Sequence, residues 1–181
     1  ILVDITRSKD MEAQLHEQLI RDALTGCYNR RFLLDLGERL KAEGESRWGC
    51  IFIDIDRFKL YNDTYGHGSG DQVLQKIARF LLRQVRAEEP VIRVGGDEFV
   101  VVARDATPER VAELAWTIGG AVGPTVDVGH RTLPLTVSVG VAIAQRSQSA
   151  GELLDRADSA MYRAKRSGRA AVVHFDDEME Q

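Results

Sequence analysis

Several carboxylates of this chain stand inside or beside apolar runs. Cys50 to Phe58 reads CIFIDIDRF, and Arg93 to Val102 reads RVGGDEFVVV. With the two-residue period of a strand, Cys50, Phe52, Asp54 and Asp56 share one face, and Ile51, Ile53 and Ile55 share the other. A carboxylate within such a strand is costly unless something balances it. Asp54 is then either a metal ligand or a strand-end residue that meets solvent or caps the next helix. A sheet that sets GGDEF beside IDID would gather several carboxylates, which repel when unpaired. A hard cation such as Mg²⁺ removes the repulsion, takes oxygen ligands at octahedral geometry and usually arrives with phosphate. Two such ions can clamp a phosphoryl centre, activating the attacking oxygen and stabilising the leaving one. The same period keeps Asp97 and Glu98 off a common face in a regular strand. One of them is a ligand, and the second is left open.

Three further segments suit a phosphate-bearing ligand. Lys59, in FKLYND, lies one short turn beyond the first acids. GHGSGD, Gly66 to Asp71, is a glycine-rich loop opening a helix, and such loops present backbone N–H groups to anions. MYRAKRSGR places Lys165 and Arg169 four apart on one helical face. Taken singly, each is equally a common turn or a solvated basic face. Together with two acidic strands they favour a phosphate site.

The elements that must carry these groups follow from periodicity. Ile1 to Ile5 is β-branched and apolar, like the end of a strand. Ser8 to Arg21 is a helix with Met11, Leu15 and Leu19 along one side. That thin stripe suits a two-stranded coiled coil or a helix lying on its own domain. LTGCYN, Leu24 to Asn29, is a break. Helices are expected over Arg30 to Lys41, Gln72 to Arg86, Thr107 to about Ala121 with Thr107 as N-cap, and Ser149 to Ser167 with Ser149 as cap and Gly168 as the stop. A short turn or helix covers Arg57 to Tyr65. Strands are expected over Gly49 to Ile55 and Ala171 to Phe175. Hairpins are expected around Gly95-Gly96 and between Thr125 to Val128 and Leu133 to Ile143. The mixture is α+β, a central and largely antiparallel sheet flanked by helices.

The 181 residues fit one domain with an appendage, and 44% hydrophobic content supports a real core. A net charge of −4 without blocks of like charge argues against nucleic acid as a partner. Cys27 and Cys50 form no ligand pair, so zinc and disulfides are not expected, and a cytoplasmic location is the natural reading. No run has the length of a membrane span. The first residues, ILVDITRS, do not begin with Met, as in a piece cut from a longer chain.

GGDEF at Gly95 to Phe99, together with DIDRFKLYND, GHGSGD, DALTGCYNRR and SVGVA, resembles the GGDEF domain of bacterial diguanylate cyclases. The likeness runs from about Asp22 to Val173, five blocks in order. It implies a fold like the nucleotide cyclase and polymerase palm domains. It also implies a reaction in which two GTP condense to cyclic di-GMP and two pyrophosphates. Each domain would hold one GTP, so two domains would meet face to face, as a homodimer joined also through the N-terminal helix.

By that resemblance Asp54, the Ile55 carbonyl and Asp97 would hold Mg²⁺, or Mn²⁺ in its place. Asp97 and Glu98 would be catalytic. Gly95 and Gly96 would let backbone approach phosphate. Lys59, Lys165 and Arg169 would hold the triphosphate, with the backbone N–H groups of Arg57 and Phe58. Asn62 and Asp71 would hold guanine. A carboxylate accepts from guanine N1–H and N2–H₂ together, whereas adenine lacks that donor pair and would leave it unpaired. Arg86 and Glu89, in RAEE, match an inhibitory product site of the form RxxD, with Glu in place of Asp. Cys27 replaces the family's usual Leu, and Ala170 its usual Asn. VDITRSKDMEAQL resembles the exit of a PAS sensor into a signalling helix, which assigns residues 1–21 to that linker and 22–181 to the cyclase domain. A silent GGDEF domain that binds nucleotide and regulates a partner is the competing reading. The signature acids Asp54, Asp97 and Glu98 are all in place, which favours activity.

Overall fold

A computed structural model describes residues 2–43, 48–104, 106–119, 125–128, 131–144 and 150–175. Among these, β2 (Trp48–Ile55) is the centre of a six-stranded sheet, and all eight of its residues are buried. The order is β1 (Tyr28–Asn29), β3 (Val91–Arg93), β4 (Glu98–Arg104), β2, β7 (Val137–Ile143) and β8 (Val172–His174). The inner pairs are antiparallel and the two edge pairs, β1 with β3 and β7 with β8, are parallel. The expected alternation along β2 is present, but both faces are apolar. Ile51, Ile53 and Ile55 face one core with α4 (His67–Gln84) and α5 (Pro108–Gly119). Cys50 and Phe52 face the other with α2 (Arg30–Ala42) and α6 (Ala150–Arg166). A sheet covered by helices on both sides needs apolar side chains on both.

Thr107 caps α5 as expected, its hydroxyl accepting from the Arg110 N–H at 3.2 Å. Gly168, at φ 116°, follows α6 and ends it. The Ser149 cap lies outside the described residues.

Other expectations are corrected. Leu2 to Ile5 is helical and not strand, since α1 (Leu2–Ile20) begins at Leu2, and Ile1 lies outside the described residues. The break at LTGCYN contains β1, a short strand that completes the sheet edge. GHGSGD is not a loop. Gly66, at φ 90°, makes the sharp turn, and α4 starts at His67, its first turn closed by the Gly70 N–H on the Gly66 carbonyl. Asp71 is therefore inside α4. The second hairpin is shorter than expected: β5 (Thr125–Val128) pairs with β6 (Arg131–Pro134) in a separate two-stranded sheet. The following run, VSVGVAI, is β7 and pairs with β2 inside the main sheet, which buries six of its seven apolar and small residues. Arg169 is not on a helical face with Lys165. Helix α6 stops at Arg166, and Arg169 lies beyond it at φ 67°.

Met11, Leu15 and Leu19 of α1 are each more than half exposed, as is Ile5. The stripe does not lie on its own domain.

Candidate active site

The carboxylates meet because of strand register. Asp54, next to last in β2, stands directly opposite Glu98, the first residue of β4. In an antiparallel pair, opposite residues project to the same side. Asp97 precedes β4 in the bend of the hairpin, where strand alternation does not apply. One ligand oxygen from each of Asp54, Asp97 and Glu98 lies within 4.8 Å of the others. Periodicity could admit only one of the two adjacent acids; the bend lets both face Asp54.

The cluster is short of positive charge. Asp54 is 4% exposed. Its Oδ2 pairs with Lys165 Nζ at 2.8 Å, and its Oδ1 is buried with no hydrogen-bond partner. Burial, with the Asp97 charge adding and Lys165 opposing, pushes its carboxyl up to about 7. Glu98 is also raised, first by burial and then by Asp97 and Asp158. A buried oxygen without a partner beside two further carboxylates can accept a hard cation. The donor set fits a hard divalent ion.

The hairpin is built to hold these acids. The N–H groups of Val94 and Gly95 donate to the Glu98 carbonyl at 3.0 and 3.4 Å. The Ile55 N–H donates to the Asp97 carbonyl at 3.2 Å, locking the bend to the end of β2. A Cβ at Gly95 would lie 2.8 Å from Glu98 Oε2, so the missing side chain is room for that carboxylate. Gly96 is exposed, with open space around it.

The other expected residues surround this centre. Arg57, in the left-handed region at φ 57°, opens α3 (Phe58–Tyr65), whose N-terminus has no side-chain cap. The first N–H groups of an uncapped helix are open to an anion. Lys59 is exposed in that first turn, and Phe58 packs partly against the core. Asn62, on α3, has a buried Oδ1 without a partner. It lodges against Gly70 of α4, where a Cβ would overlap that oxygen. Asp71 follows Gly70 and is exposed.

Arg86 and Glu89 stand differently. Glu89 is buried, and its Oε1 accepts from Arg110 Nη2 at 2.7 Å and from the Arg86 N–H at 2.8 Å. Although burial opposes it, these bonds hold the Glu89 carboxyl below its ordinary value. The carboxylate thus ties the 86–89 turn to α5.

Sequence reasoning missed several positioning side chains. Arg93 donates to the Gly96 carbonyl at 2.8 and 3.2 Å, and to Asp22 at 3.2 Å. Asp22 in turn accepts from the Thr25 N–H and hydroxyl. The hairpin is thereby fixed to the turn after α1. Asp22 and Arg93 are 71 residues apart, and no local pattern joins them. Asp56, noticed only for its strand parity, accepts from Ser138, Thr136 and Ala170.

The diguanylate cyclase GGDEF domain model matches residues 19–171. Diguanylate cyclase DgcM of Escherichia coli K12 is 39% identical over 177 residues, 96% of this chain and 42% of that protein. The response regulator PleD of Caulobacter vibrioides is 41% identical over 165 residues, 87% of this chain and 36% of that protein. The chain thus spans about two fifths of the length of these curated relatives. Among solved structures, the coiled coil and GGDEF domain of DgcB from Caulobacter crescentus, in complex with c-di-GMP, superposes with TM-score 0.87 at 29% identity, covering 96% of this chain and 94% of that one. With its acids gathered on a matching fold and the family model covering most of its length, the chain belongs to the GGDEF domain family of diguanylate cyclases.

Proposed function

We propose that this chain condenses two molecules of GTP into cyclic di-GMP, releasing two pyrophosphates. The observation that carries the reading is the gathering of Asp54, Asp97 and Glu98 around a buried oxygen with no partner. Asp54, Asp97 and the Ile55 carbonyl would hold Mg²⁺ or Mn²⁺. The cation, when bound, supplies Lewis-acid stabilisation of charge at the phosphoryl centre. Asp97 takes the proton of the attacking 3′-hydroxyl, with Glu98 beside it at the active centre. The oxygen then bonds to the α-phosphate of the other GTP, and pyrophosphate leaves. Lys59, Lys165, Arg169 and the N–H groups at Arg57 and Phe58 hold the triphosphate. Lys165, which pairs with Asp54 at 2.8 Å, would pass from that carboxylate to the triphosphate. On this reading the reaction belongs in the cytoplasm, where GTP is available.

Asn62 and Asp71 hold guanine, and Gly70 makes room for Asn62. Replacing Gly70 with Ala would ordinarily favour a helix by roughly 0.5–1 kcal/mol. Here it pushes Asn62 out of its place. Gly70→Ala is therefore expected to keep or raise the Tm while weakening GTP binding about tenfold and narrowing the preference over ATP. Calorimetric titration with both nucleotides checks this, and unchanged GTP affinity contradicts it.

Each domain holds one GTP, so turnover needs two copies. The exposed stripe Ile5, Met11, Leu15 and Leu19 supports pairing through α1, which an upstream PAS-like sensor would control. Specific activity is expected to rise with protein concentration across the monomer–dimer range. A flat dependence contradicts catalysis between two domains. Cyclic di-GMP would also be the ligand of any product site at Arg86, where the commitment of Glu89 to Arg110 must first be broken.

A further inference from the structure

We infer that Asp56 is a positioning residue that sets Arg169 for the triphosphate, and that it is neither a metal ligand nor a base. The inference rests on the reading of Arg169 as a phosphate ligand. Among the described residues, three other than glycine have a positive φ: Arg57 at 57°, Arg169 at 67° and Ala170 at 47°. Two of them adjoin Asp56, and Arg169 stands beside the second in the chain. Arg57 follows it in sequence, and the Ala170 N–H donates to Asp56 Oδ2 at 3.0 Å. Left-handed backbone is unfavourable for residues with a Cβ, and it persists where surrounding contacts over-determine it. Two successive left-handed residues in an exposed segment need such contacts: the Arg169 N–H donates to the Ala164 carbonyl at 3.2 Å, and the Ala170 N–H bond to Asp56 supplies the other.

Asp56 is itself fixed. Its Oδ1 accepts from the Ser138 hydroxyl at 2.6 Å, and Oδ2 also accepts from the Thr136 hydroxyl at 2.8 Å. Its own N–H donates to the Thr136 carbonyl at 3.0 Å. Ser138 is fully buried and stands opposite Asp54 in the register of β2 and β7. One short chain of bonds thus ties the Arg169 turn to the strand that carries the metal-binding acid. Both oxygens of Asp56 are taken by donors, and Asp56 is outside the carboxylate cluster.

The test is a double-mutant cycle on Asp56 and Arg169, read as affinity for GTP by calorimetry, with the far-ultraviolet spectrum and Tm recorded for each variant. Asp56→Ala is expected to weaken GTP binding about tenfold, the order for a lost hydrogen bond to a charged group. Arg169→Ala should weaken it at least as much. The double variant should be no worse than Arg169→Ala alone, because Asp56 acts through that side chain. Adding Ala170→Gly to Asp56→Ala should recover part of the affinity, since glycine adopts the left-handed turn without help. Where Asp56→Ala does not fold, Asp56→Leu, closer in size and without an acceptor, enters the same cycle. Additive losses, or full affinity in a folded Asp56 variant, overturn the inference while leaving Arg169 as a ligand. Full affinity in Arg169→Ala overturns both the inference and the phosphate reading beneath it.

Discussion

Asp54→Asn should abolish product formation, by on the order of a thousandfold or more, and yet raise the thermal stability of the metal-free protein above neutral pH. Asp54 is buried, and its carboxyl is raised to about 7 by burial and by Asp97. An acid that holds its proton more tightly folded than unfolded favours the folded state most at low pH. That advantage is lost as pH rises from the ordinary value of 3.8 to about 7, and stability is flat above it. Asparagine removes this loss. Its oxygen can still accept from Lys165, and its amide can donate to Asp97 where the native chain sets two acceptors against each other. Melts at pH 8 with and without Mg²⁺ read both effects. The native chain should gain stability from Mg²⁺ and the variant should not. A variant that melts lower than the native protein and gains as much from Mg²⁺ contradicts the metal assignment.

Gly140→Ala should cost about 3 kcal/mol, at the upper end of the range for overpacking. For a chain of this size that corresponds to a fall of about 10 °C in Tm. Gly140 is the glycine of SVGVA, in the middle of β7 between β2 and β8. A Cβ there would overlap the Ala157 carbonyl oxygen and the Met161 amide nitrogen, both backbone of α6. Ala157, Ala160 and Ala164 are fully buried on that helix, which lies close against the strand. Backbone cannot turn aside as a side chain can, so α6 must shift, and with it Lys165. Activity should fall along with stability. Gly68→Ala is the control: the space around Gly68 is open, and the same change within α4 should be neutral or stabilising by roughly 0.5–1 kcal/mol. A native-like melt for Gly140→Ala contradicts the close approach.

How far the sequence spoke depended on how local each cause was. The amphipathic helices α2, α4 and α5 were legible because one face of each packs on the sheet. The hairpin at GGDEF was legible from its glycines. Asp54 and Asp97 could be proposed as partners, but periodicity alone set Glu98 against them. The register that puts Glu98 opposite Asp54, and the bend that frees Asp97, are tertiary facts. The helical start of α4 was hidden because Gly66, Gly68 and Gly70 read as loop, whereas Gly70 serves the approach of α3. The end of α1 is legible in its apolar stripe, whereas its β-branched start reads as strand although it is helical. Arg93 with Asp22, and Glu89 with Arg110, join distant segments and left no periodic trace.

The most direct test of the account is to incubate the purified chain with GTP and Mg²⁺ at high protein concentration and to measure cyclic di-GMP and pyrophosphate, with GTP binding measured alongside. The account predicts both products in a ratio of one to two, and neither from Asp97→Ala. Bound GTP without product would contradict it and favour a silent domain that regulates a partner.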